Sequence, residues 1–379
     1  MTDAGMTDGP FAVPFAEADR QLTICNACRY CEGYCAVFPA LERRVDLTAG
    51  DITHLADLCH DCRDCYTACM YAPPHEFALN LPAALSAVRH HTYDEYLPRL
   101  TWPAGRRGAM LAAALAAIAL LAVLGVIVGG AGAPAGSPYR IIAYPALLVA
   151  FGLAAAWSVI VMAWSAARYW RATNGPGWGG LANPAVLARA LGQAATLRNL
   201  RGGGADCSYP GDEPSGARRR LHHLIAWGFA ACAASTVAAA ISQDFAGDPP
   251  PYPAASAPVL FGVIGGAGLV IGCAGLLVLR RTAASSDTAS SDTASSDTPA
   301  REDSALARRG YALLAALLVL AVSGLLTLVV RDTAAFGPVL YVHLVAVAAC
   351  FAIAPYTKFM HVIYRFLALV RHNSELRQR

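Results

Sequence analysis

The chain has 379 residues, of which 56% are hydrophobic and only 15% are charged. Soluble globular domains carry about 25% charged residues, so this composition argues against a soluble enzyme and against a disordered protein. The formal net charge is +3 without a concentrated basic domain, which argues against a nucleic-acid-binding protein.

The first twenty residues contain two prolines and four acidic residues and have no long apolar run. This is not the pattern of a secretory signal peptide. We expect residues 1–20 to form a flexible N-terminus. The region that follows, 21–107, should then stay in the reducing cytoplasm, where closely spaced cysteines are metal ligands rather than disulfides.

Eight of the 12 cysteines lie in this region, in two C-x2-C-x2-C-x3-C runs that start thirty-four residues apart. The first run is Cys25, Cys28, Cys31 and Cys35, and the second is Cys59, Cys62, Cys65 and Cys69. Such a turn brings three thiolates to one face of a [4Fe–4S] cubane, and the fourth cysteine of each run binds the other cluster. The sequence therefore predicts one cluster on Cys25, Cys28, Cys31 and Cys69, and a second on Cys59, Cys62, Cys65 and Cys35. Zinc is the alternative, but its usual sites are closed tetrahedra of two separated pairs.

The segment between the runs, 36–58, has apolar residues at helical spacing and no strand alternation. It therefore predicts a helical ferredoxin-like domain, of the kind found in fumarate-reductase-type iron–sulfur subunits, rather than the small β-rich form. Three histidines lie near the runs: His54, His60 and His75. Because eight thiolates complete both clusters, we interpret these histidines as surface residues or as neighbours of the clusters, and not as ligands.

Beyond residue 107 the chain contains apolar segments that are long enough to cross a membrane. We predict six of them: 109–130, 141–166, 222–243, 257–279, 311–330 and 339–367. Each approaches or exceeds the roughly 20 residues that span about 30 Å of hydrocarbon. The predicted fold is therefore mainly α, with the di-cluster domain followed by a six-helix transmembrane, cytochrome b-like domain over 108–379.

Arginines in the connections predict the orientation of these helices. The 167–221 connection carries eight arginines and the 281–309 connection carries four, whereas the remaining connections hold few. By the positive-inside rule, the arginine-rich connections and both termini are cytoplasmic, which predicts a multi-pass protein of the bacterial inner membrane. The 281–309 connection also contains a tandem repeat of small polar residues, and we predict a disordered spacer there.

Histidines on the third and sixth predicted helices are candidate haem ligands, because ionisable residues inside a membrane are costly and mark functional sites. His222 and His223 open the third helix, and the sixth carries His343 and His361. On one continuous helix, the last two would lie five turns apart on one face. The predicted topology puts only His361 at the depth of His222 and His223. We therefore predict one haem b between these helices, without deciding between His222 and His223.

Other polar residues of the membrane region have weaker interpretations. His343 has no partner histidine at its depth, so it is a candidate for a second haem, for a quinone pocket, or for a simple interfacial residue. Lys358 and Arg365 could pair with haem propionates or anchor the helix end. The remaining cysteines lack ligand spacing and are interpreted as small apolar residues. They are Cys207, Cys232, Cys273 and Cys350.

The double cysteine run, the loop 202–223 and the segment 354–366 together resemble the tricarballylate/citrate-utilisation protein B family over nearly the whole chain. The C-terminal region is also similar to part of a cobalamin-biosynthesis flavoprotein that carries iron–sulfur clusters and haem. The resemblance implies a membrane electron-transfer protein that reoxidises the FAD of a partner tricarballylate dehydrogenase and passes the electrons to the quinone pool. The histidine pair of the sixth segment is similar to that of nitrate-reductase-type cytochrome b subunits.

The sequence provides no flavin or nucleotide site, since the glycines at 202–204 do not follow a strand. It also provides no acid–base pair or nucleophile for a carbon substrate. We therefore expect an electron relay whose partners are an FAD-dependent dehydrogenase, a quinone and the lipid bilayer, without nucleic acid. One alternative is the same relay serving another dehydrogenase or cobalamin synthesis. Another is a transporter with a regulatory iron–sulfur head, which would need charged or broken-helix sites near mid-membrane.

Overall fold

The computed structural model describes residues 12–98, 137–174, 177, 179–202, 204, 206–208, 213–290 and 304–377, with scattered positions between 108 and 119. Within this part of the chain the structure is mainly helical, so the predicted mainly α class is confirmed. Its two short strands, β1 (Cys207–Ser208) and β2 (Pro214–Ser215), pair antiparallel in one loop.

The N-terminal head, over its described residues 12–98, consists of helices and turns without a strand. Its helices are α1 (Ala12–Cys28), α2 (Val37–Leu41), α3 (Ala49–Leu58), α4 (Asp64–Thr67) and α5 (Leu81–Glu95). A capping box starts α3, because the Thr48 hydroxyl accepts from the Asp51 backbone and the Asp51 carboxylate accepts from the Thr48 backbone. The Asn80 side chain caps α5 in a similar way.

Helix α1 begins inside the segment for which we predicted flexibility. Phe15, Ala18 and Leu22 follow one another at helical spacing and are buried against α3 and α5, which explains why this part is ordered. Residues 1–11 lie outside the described part of the chain. Burying a leucine such as Leu22, Leu55 or Leu85, all fully buried, stabilises the fold by about 1.5–3 kcal/mol each.

The remainder of the described chain contains long apolar helices and two shorter ones. They are α6 (Tyr144–Asn174), α7 (Pro184–Ala195), α8 (Ala217–Asp244), α9 (Ala257–Ser290), α10 (Ser304–Val329), α11 (Phe336–Ile353) and α12 (His361–Arg377). In the described residues, five stretches are long and apolar enough to cross a membrane: Tyr144–Thr173, Ala217–Asp244, Ala257–Thr282, Gly310–Val329 and Phe336–Tyr356. They correspond to the second to sixth predicted segments. The first, 109–130, lies largely outside the described residues, so the total of six stays a prediction.

The sixth predicted segment is not a continuous helix, and this corrects the sequence analysis. Helix α11 ends before Pro355, whose ring lacks an N–H and disfavours helical geometry in the preceding residue. Two short 3-10 turns follow, and the Thr357 side chain accepts from the Phe359 backbone before α12 begins. His343 and His361 therefore lie on different helices, and the prediction that they share one face of a single helix is wrong.

The predicted spacer also differs from the structure at its edges. Helix α9 continues through Ser290, beyond the predicted start of the spacer at 281, and α10 begins at Ser304. Residues 291–303 lie outside the described part of the chain.

The apolar helices pack in the spatial order α8, α9, α10, α11 and α6. Helices α8 and α9 approach most closely, because glycines face backbone across their interface. A Cβ atom on Gly265 would lie 2.7 Å from the Gly228 carbonyl oxygen and 2.8 Å from the Cys232 nitrogen. Small residues of this kind allow apolar helices to pack backbone against backbone in a membrane.

An ion-pair network joins the head to α12. Asp51 accepts from Arg44 at 2.8 Å and from Arg371 at 2.6 Å, and Glu375 accepts from the same two arginines at 2.7 and 2.8 Å. All four side chains are largely buried. Beside them, α3 touches the end of α6 so closely that a Cβ atom on Gly50 would overlap the Ala172 carbonyl oxygen. The head therefore packs directly on the ends of α6 and α12.

Candidate metal centre

One set of thiols surrounds a pocket that opens to solvent. The cysteines that line this pocket are Cys25, Cys28, Cys31, Cys65 and Cys69. Cys28 is exposed at the end of α1, while Cys25 and Cys31 are half-buried. Burial, together with the neighbouring thiolates of Cys69, Cys31 and Cys28, raises the pKa of Cys25 to about 12. Four thiols held this closely disfavour their own charged forms unless a positive group lies among them.

The second set of thiols lies deeper, and Cys59 and Cys62 are buried. Burial raises the pKa of Cys35, and the thiolates of Cys62 and Cys59 raise it further. The pKa of Cys65 is raised in the same way by burial and then by Cys35 and Cys59. The Cys35 thiol thus lies near Cys59 and Cys62, the Cys69 thiol lies near Cys25 and Cys31, and Cys65 also lines the first pocket. The assignment of the eight cysteines to two clusters stays a prediction.

The two runs share a backbone feature that the turn requires. The residue after the second cysteine of each run, Arg29 in the first and Arg63 in the second, has a left-handed backbone with φ of 57° and 66°. Left-handed geometry is uncommon for residues other than glycine and concentrates where a surrounding structure enforces it. In the second run Asp61 is also left-handed, with φ of 53°, so that run turns more sharply.

A loop from the membrane part covers the second run. The Ser208 backbone donates to the Asp64 carboxylate at 2.8 Å, and Gly202, with φ of 55°, lies so close that a Cβ atom there would overlap this carboxylate. The Cys207 thiol is buried, donates to the Leu200 carbonyl oxygen at 3.0 Å and packs against Cys62. Cys207 is therefore not simply a small apolar residue, as we had interpreted it, since it contacts a predicted ligand.

Arginines from two helices bind the backbone around Cys59. Arg89 on α5 donates to the carbonyl oxygens of Ala56 at 2.5 Å and Cys59 at 3.2 Å. Arg218 on α8 donates to the carbonyl oxygens of Asp61 and, at 3.1 Å, His60. Neither contact was predicted from the sequence. Arg89 is a single arginine, and Arg218 begins an arginine triplet that lies far along the chain from the second run.

His222 and His361 face each other where α8 meets the start of α12. Their ring centres are 6.2 Å apart and their planes are inclined by 44°. The His361 Nδ1 atom is hydrogen-bonded to the Lys358 carbonyl oxygen at 2.5 Å, and the buried His222 Nδ1 atom has no partner among the described residues. His223 has no recorded contact with His361. Arg365 lies one turn beyond His361, beside Cys59 and Arg89.

The other histidines lie apart from this pair. The His343 Nδ1 atom is 3.0 Å from the Ser323 hydroxyl at the contact of α10 and α11, against Gly324. His75 accepts from the Phe77 backbone at 3.0 Å. His54 is completely buried in the head, which corrects any view of it as a surface residue.

Comparison with known proteins identifies the family. The model of the Citrate utilization protein B family matches residues 103–379, and the model of its Fer4-like domain matches residues 18–95. The chain belongs to the citrate utilization protein B family. It is 38% identical over 374 residues to the Citrate utilization protein B of Escherichia coli, a match that covers 96% of this chain and 93% of that protein. No solved structure matches the chain.

Both parts of the chain now have an interpretation. The Fer4-like domain spans α1 to α5 and contains all eight clustered cysteines, which indicates iron–sulfur clusters in the head. The larger match contains five helices of spanning length and apolarity, which indicates a membrane protein. An iron–sulfur head on a membrane part indicates a role in electron transfer.

Proposed function

We propose that this chain takes electrons from the reduced FAD of a partner dehydrogenase and delivers them to membrane quinone in the bacterial inner membrane. The substrate of that dehydrogenase would be tricarballylate or a related tricarboxylate, in keeping with the citrate named in the E. coli relative. The main support for the proposal is that the two thiol sets and the histidine pair lie in series. The solvent-facing thiol set adjoins the buried set, and Arg218 and Arg365 connect the buried set to the helices of His222 and His361.

The thiols fit iron–sulfur clusters better than they fit a single metal ion. Within the described residues, no three His, Cys, Asp or Glu side chains converge as ligands of one ion do. Ligands of a cubane bind separate iron atoms and so lie further apart. Bound clusters and a haem b would supply one-electron carriers. We assign the solvent-facing carrier to Cys25, Cys28, Cys31 and Cys69, and the buried carrier to Cys35, Cys59, Cys62 and Cys65.

The side chains of His222 and His361 would hold one haem b, which would supply a one-electron carrier. A metal–imidazole bond is about 2 Å long and places the ring centre roughly 3 Å from the metal, so the centres of two rings that bind one metal lie at most about 6 Å apart. The observed separation is 6.2 Å. The hydrogen bond from His361 to Lys358 orients that ring and leaves its Nε2 atom for a metal. Between the two candidates on α8, this geometry favours His222 over His223.

The direction of electron flow follows from exposure. Cys28 is at the surface, where a partner protein can approach, whereas Cys59 and Cys62 are buried beside α8 and α12. Electrons would therefore enter at the first set and leave through the histidine pair. The head packs at the end of the helices that carries the arginine-rich connections, which supports a cytoplasmic head and cytoplasmic termini.

A transporter with a regulatory head is the alternative of another class. A tricarboxylate would need cationic groups or broken helices near mid-membrane. In the described spans, the break at Pro355 lies at the head end, beside the histidine pair rather than at mid-membrane. The relay is therefore favoured over transport.

The decisive experiment is an EPR and optical inventory of the full chain, purified in detergent without oxygen. The proposal expects two [4Fe–4S] signals on reduction and a b-type haem absorption. Addition of a quinone analogue should reoxidise all of them. A colourless protein, or one that contains zinc, would refute the relay, and clusters without haem would refute the role of His222 and His361.

A further inference from the structure

The backbone between Cys59 and Cys62 is held by positive charge from separate elements. Arg89 on α5 reaches the carbonyl oxygen of Cys59, and Arg218 on α8 reaches those of His60 and Asp61. Arg89 is 7% exposed, so its charge is poorly screened by water.

A third arginine completes this set. Arg365 on α12 is half-buried and interacts electrostatically with Arg89, Asp57 and Cys59. The acidic side chains beside the three arginines and the second run are Asp57, which accepts from Tyr93 at 2.9 Å, Asp61, and the buried Asp64, which interacts with Cys62. Three cations therefore lie beside three carboxylates and the thiols of the second run. We call Arg89, Arg218 and Arg365 the arginine clamp.

The first run has no comparable clamp among the described residues. The cations that bind backbone near it are Arg20, which donates to Phe77, and Arg29, which donates to Asn26 at 3.1 Å. Arg29 is exposed, and the Arg20 side chain is 42% exposed and paired with Glu17. Water and salt screen charges in such positions.

A negatively charged cluster gains another negative charge on reduction, so buried cations nearby favour its reduced form. Reduction potentials of iron–sulfur clusters respond to net charge, to hydrogen bonds and to solvent exposure. Among the arginines that bind backbone beside the two runs, Arg89 and Arg218 at the second run are buried or half-buried, whereas Arg20 and Arg29 at the first run are exposed. We infer that the arginine clamp gives the cluster of Cys35, Cys59, Cys62 and Cys65 a higher reduction potential than the cluster of the first set. This inference rests on the proposed function.

The placement of the clamp connects this potential to the next carrier. Arg218 lies one turn before His222 on α8, and Arg365 lies one turn after His361 on α12. The two helices that present the histidine pair thus also present two arginines of the clamp. A higher potential at the second set draws electrons away from the solvent-facing set and holds them beside the histidines.

The inference is tested by an EPR-monitored redox titration of the full chain in detergent. The Cys28→Ser variant, which should keep only the second cluster, assigns the two signals. We expect Arg218→Gln and Arg365→Gln each to lower the midpoint potential of the second cluster and to leave the first unchanged. Arg218→Lys keeps the charge and should restore most of the potential. Arg29→Gln is the matched control near the first run and should move neither potential.

Each result decides the inference. It is overturned if neither glutamine variant lowers the second potential, or if both clusters shift together. If Arg218→Gln loses iron, Arg365→Gln decides alone, because Arg365 makes no hydrogen bond to the Cys59–Cys62 backbone among the described residues. A wild-type protein without two clusters would refute the proposed function, whereas two clusters with unshifted potentials would refute only the arginine clamp.

Discussion

The two cysteine runs have the same spacing, the same left-handed residue after the second cysteine, and different surroundings. At the first run, Cys28 is exposed beside Tyr30 and Met70, which are 58% and 63% exposed. At the second run, Cys62 is buried under the loop that carries Cys207. The spacing therefore determines which thiols can bind a cluster. Contacts from distant parts of the chain determine how exposed that cluster is and which groups lie beside it.

Removing one thiol from each run gives the largest expected effect. Cys28→Ser and Cys62→Ser should each lose one cluster, and therefore roughly half of the iron, because a missing thiolate destabilises the cubane. Only Cys62→Ser should also weaken the junction between head and membrane part, since Cys62 is buried there and Cys28 is exposed. Iron content, EPR and thermal unfolding in detergent measure these effects. Cys350→Ser is the control, and full iron in both variants would contradict the assignment.

Replacing a histidine tests the proposed haem independently of the two cysteine runs. We expect His361→Ala to abolish the b-type absorption and to retain the iron of both clusters, because the eight thiols are untouched. His222→Ala should behave in the same way. His223→Ala is the neighbouring control and should keep the absorption. If the spectrum of His361→Ala were unchanged, His343 would become the candidate ligand.

The cysteines proposed as ligands in both runs could be identified from the sequence, but the residues that surround them in the fold could not. Thiol spacing is local, so Cys35 and Cys69 could be assigned to opposite sets from the pattern alone. Arg218 binds the Asp61 carbonyl oxygen from 157 residues away, and no local pattern indicates such a contact. The contact of Cys207 with Cys62 was missed for the same reason.

The positions of most membrane segments were predicted from apolar length, but the break within the sixth segment was not predicted. Five of the six predicted segments correspond to apolar helices in the described residues, because burial in lipid depends mainly on apolar length. The break at Pro355 was missed because a count of apolar residues treats proline as a neutral position. That break determines the position of His361, because it puts this histidine at the start of a helix that faces the head.

The ion-pair network of Asp51 tests how firmly the second run is attached, because α3 leads directly into Cys59. Asp51→Asn would leave Arg44 and Arg371 facing each other, at a cost of about 1–3 kcal/mol for these largely buried charges. Thermal unfolding in detergent measures this loss. Asp46→Asn, at an exposed position, is the control and should change little.

The same network predicts a pH dependence. Burial opposes the charge of Asp51, but hydrogen bonds from Thr48 and Arg44 hold its pKa below the ordinary 3.8. A lowered carboxyl pKa contributes stability above pH 3.8 and loses it as the pH falls through the lowered value. The wild type should therefore lose this contribution only in acid, and Asp51→Asn should lack that step. An identical acid profile in both proteins would contradict the role of Asp51.

The smallest expected effect comes from exposing the second run to solvent, as the first run already is. Gly202→Ala would force an alanine into left-handed geometry against the Asp64 carboxylate, at a cost of about 1–2 kcal/mol, and should lift the covering loop. Gly204, with φ of 108° and open space around it, supplies the control, because Gly204→Ala brings backbone strain without the overlap. A chelator should then remove iron from the second cluster roughly 5- to 30-fold faster in Gly202→Ala than in the wild type, if access requires the loop to open. Equal rates in the two glycine variants would mean that the loop does not protect the second run, and that burial of Cys62 by the head alone distinguishes it from Cys28.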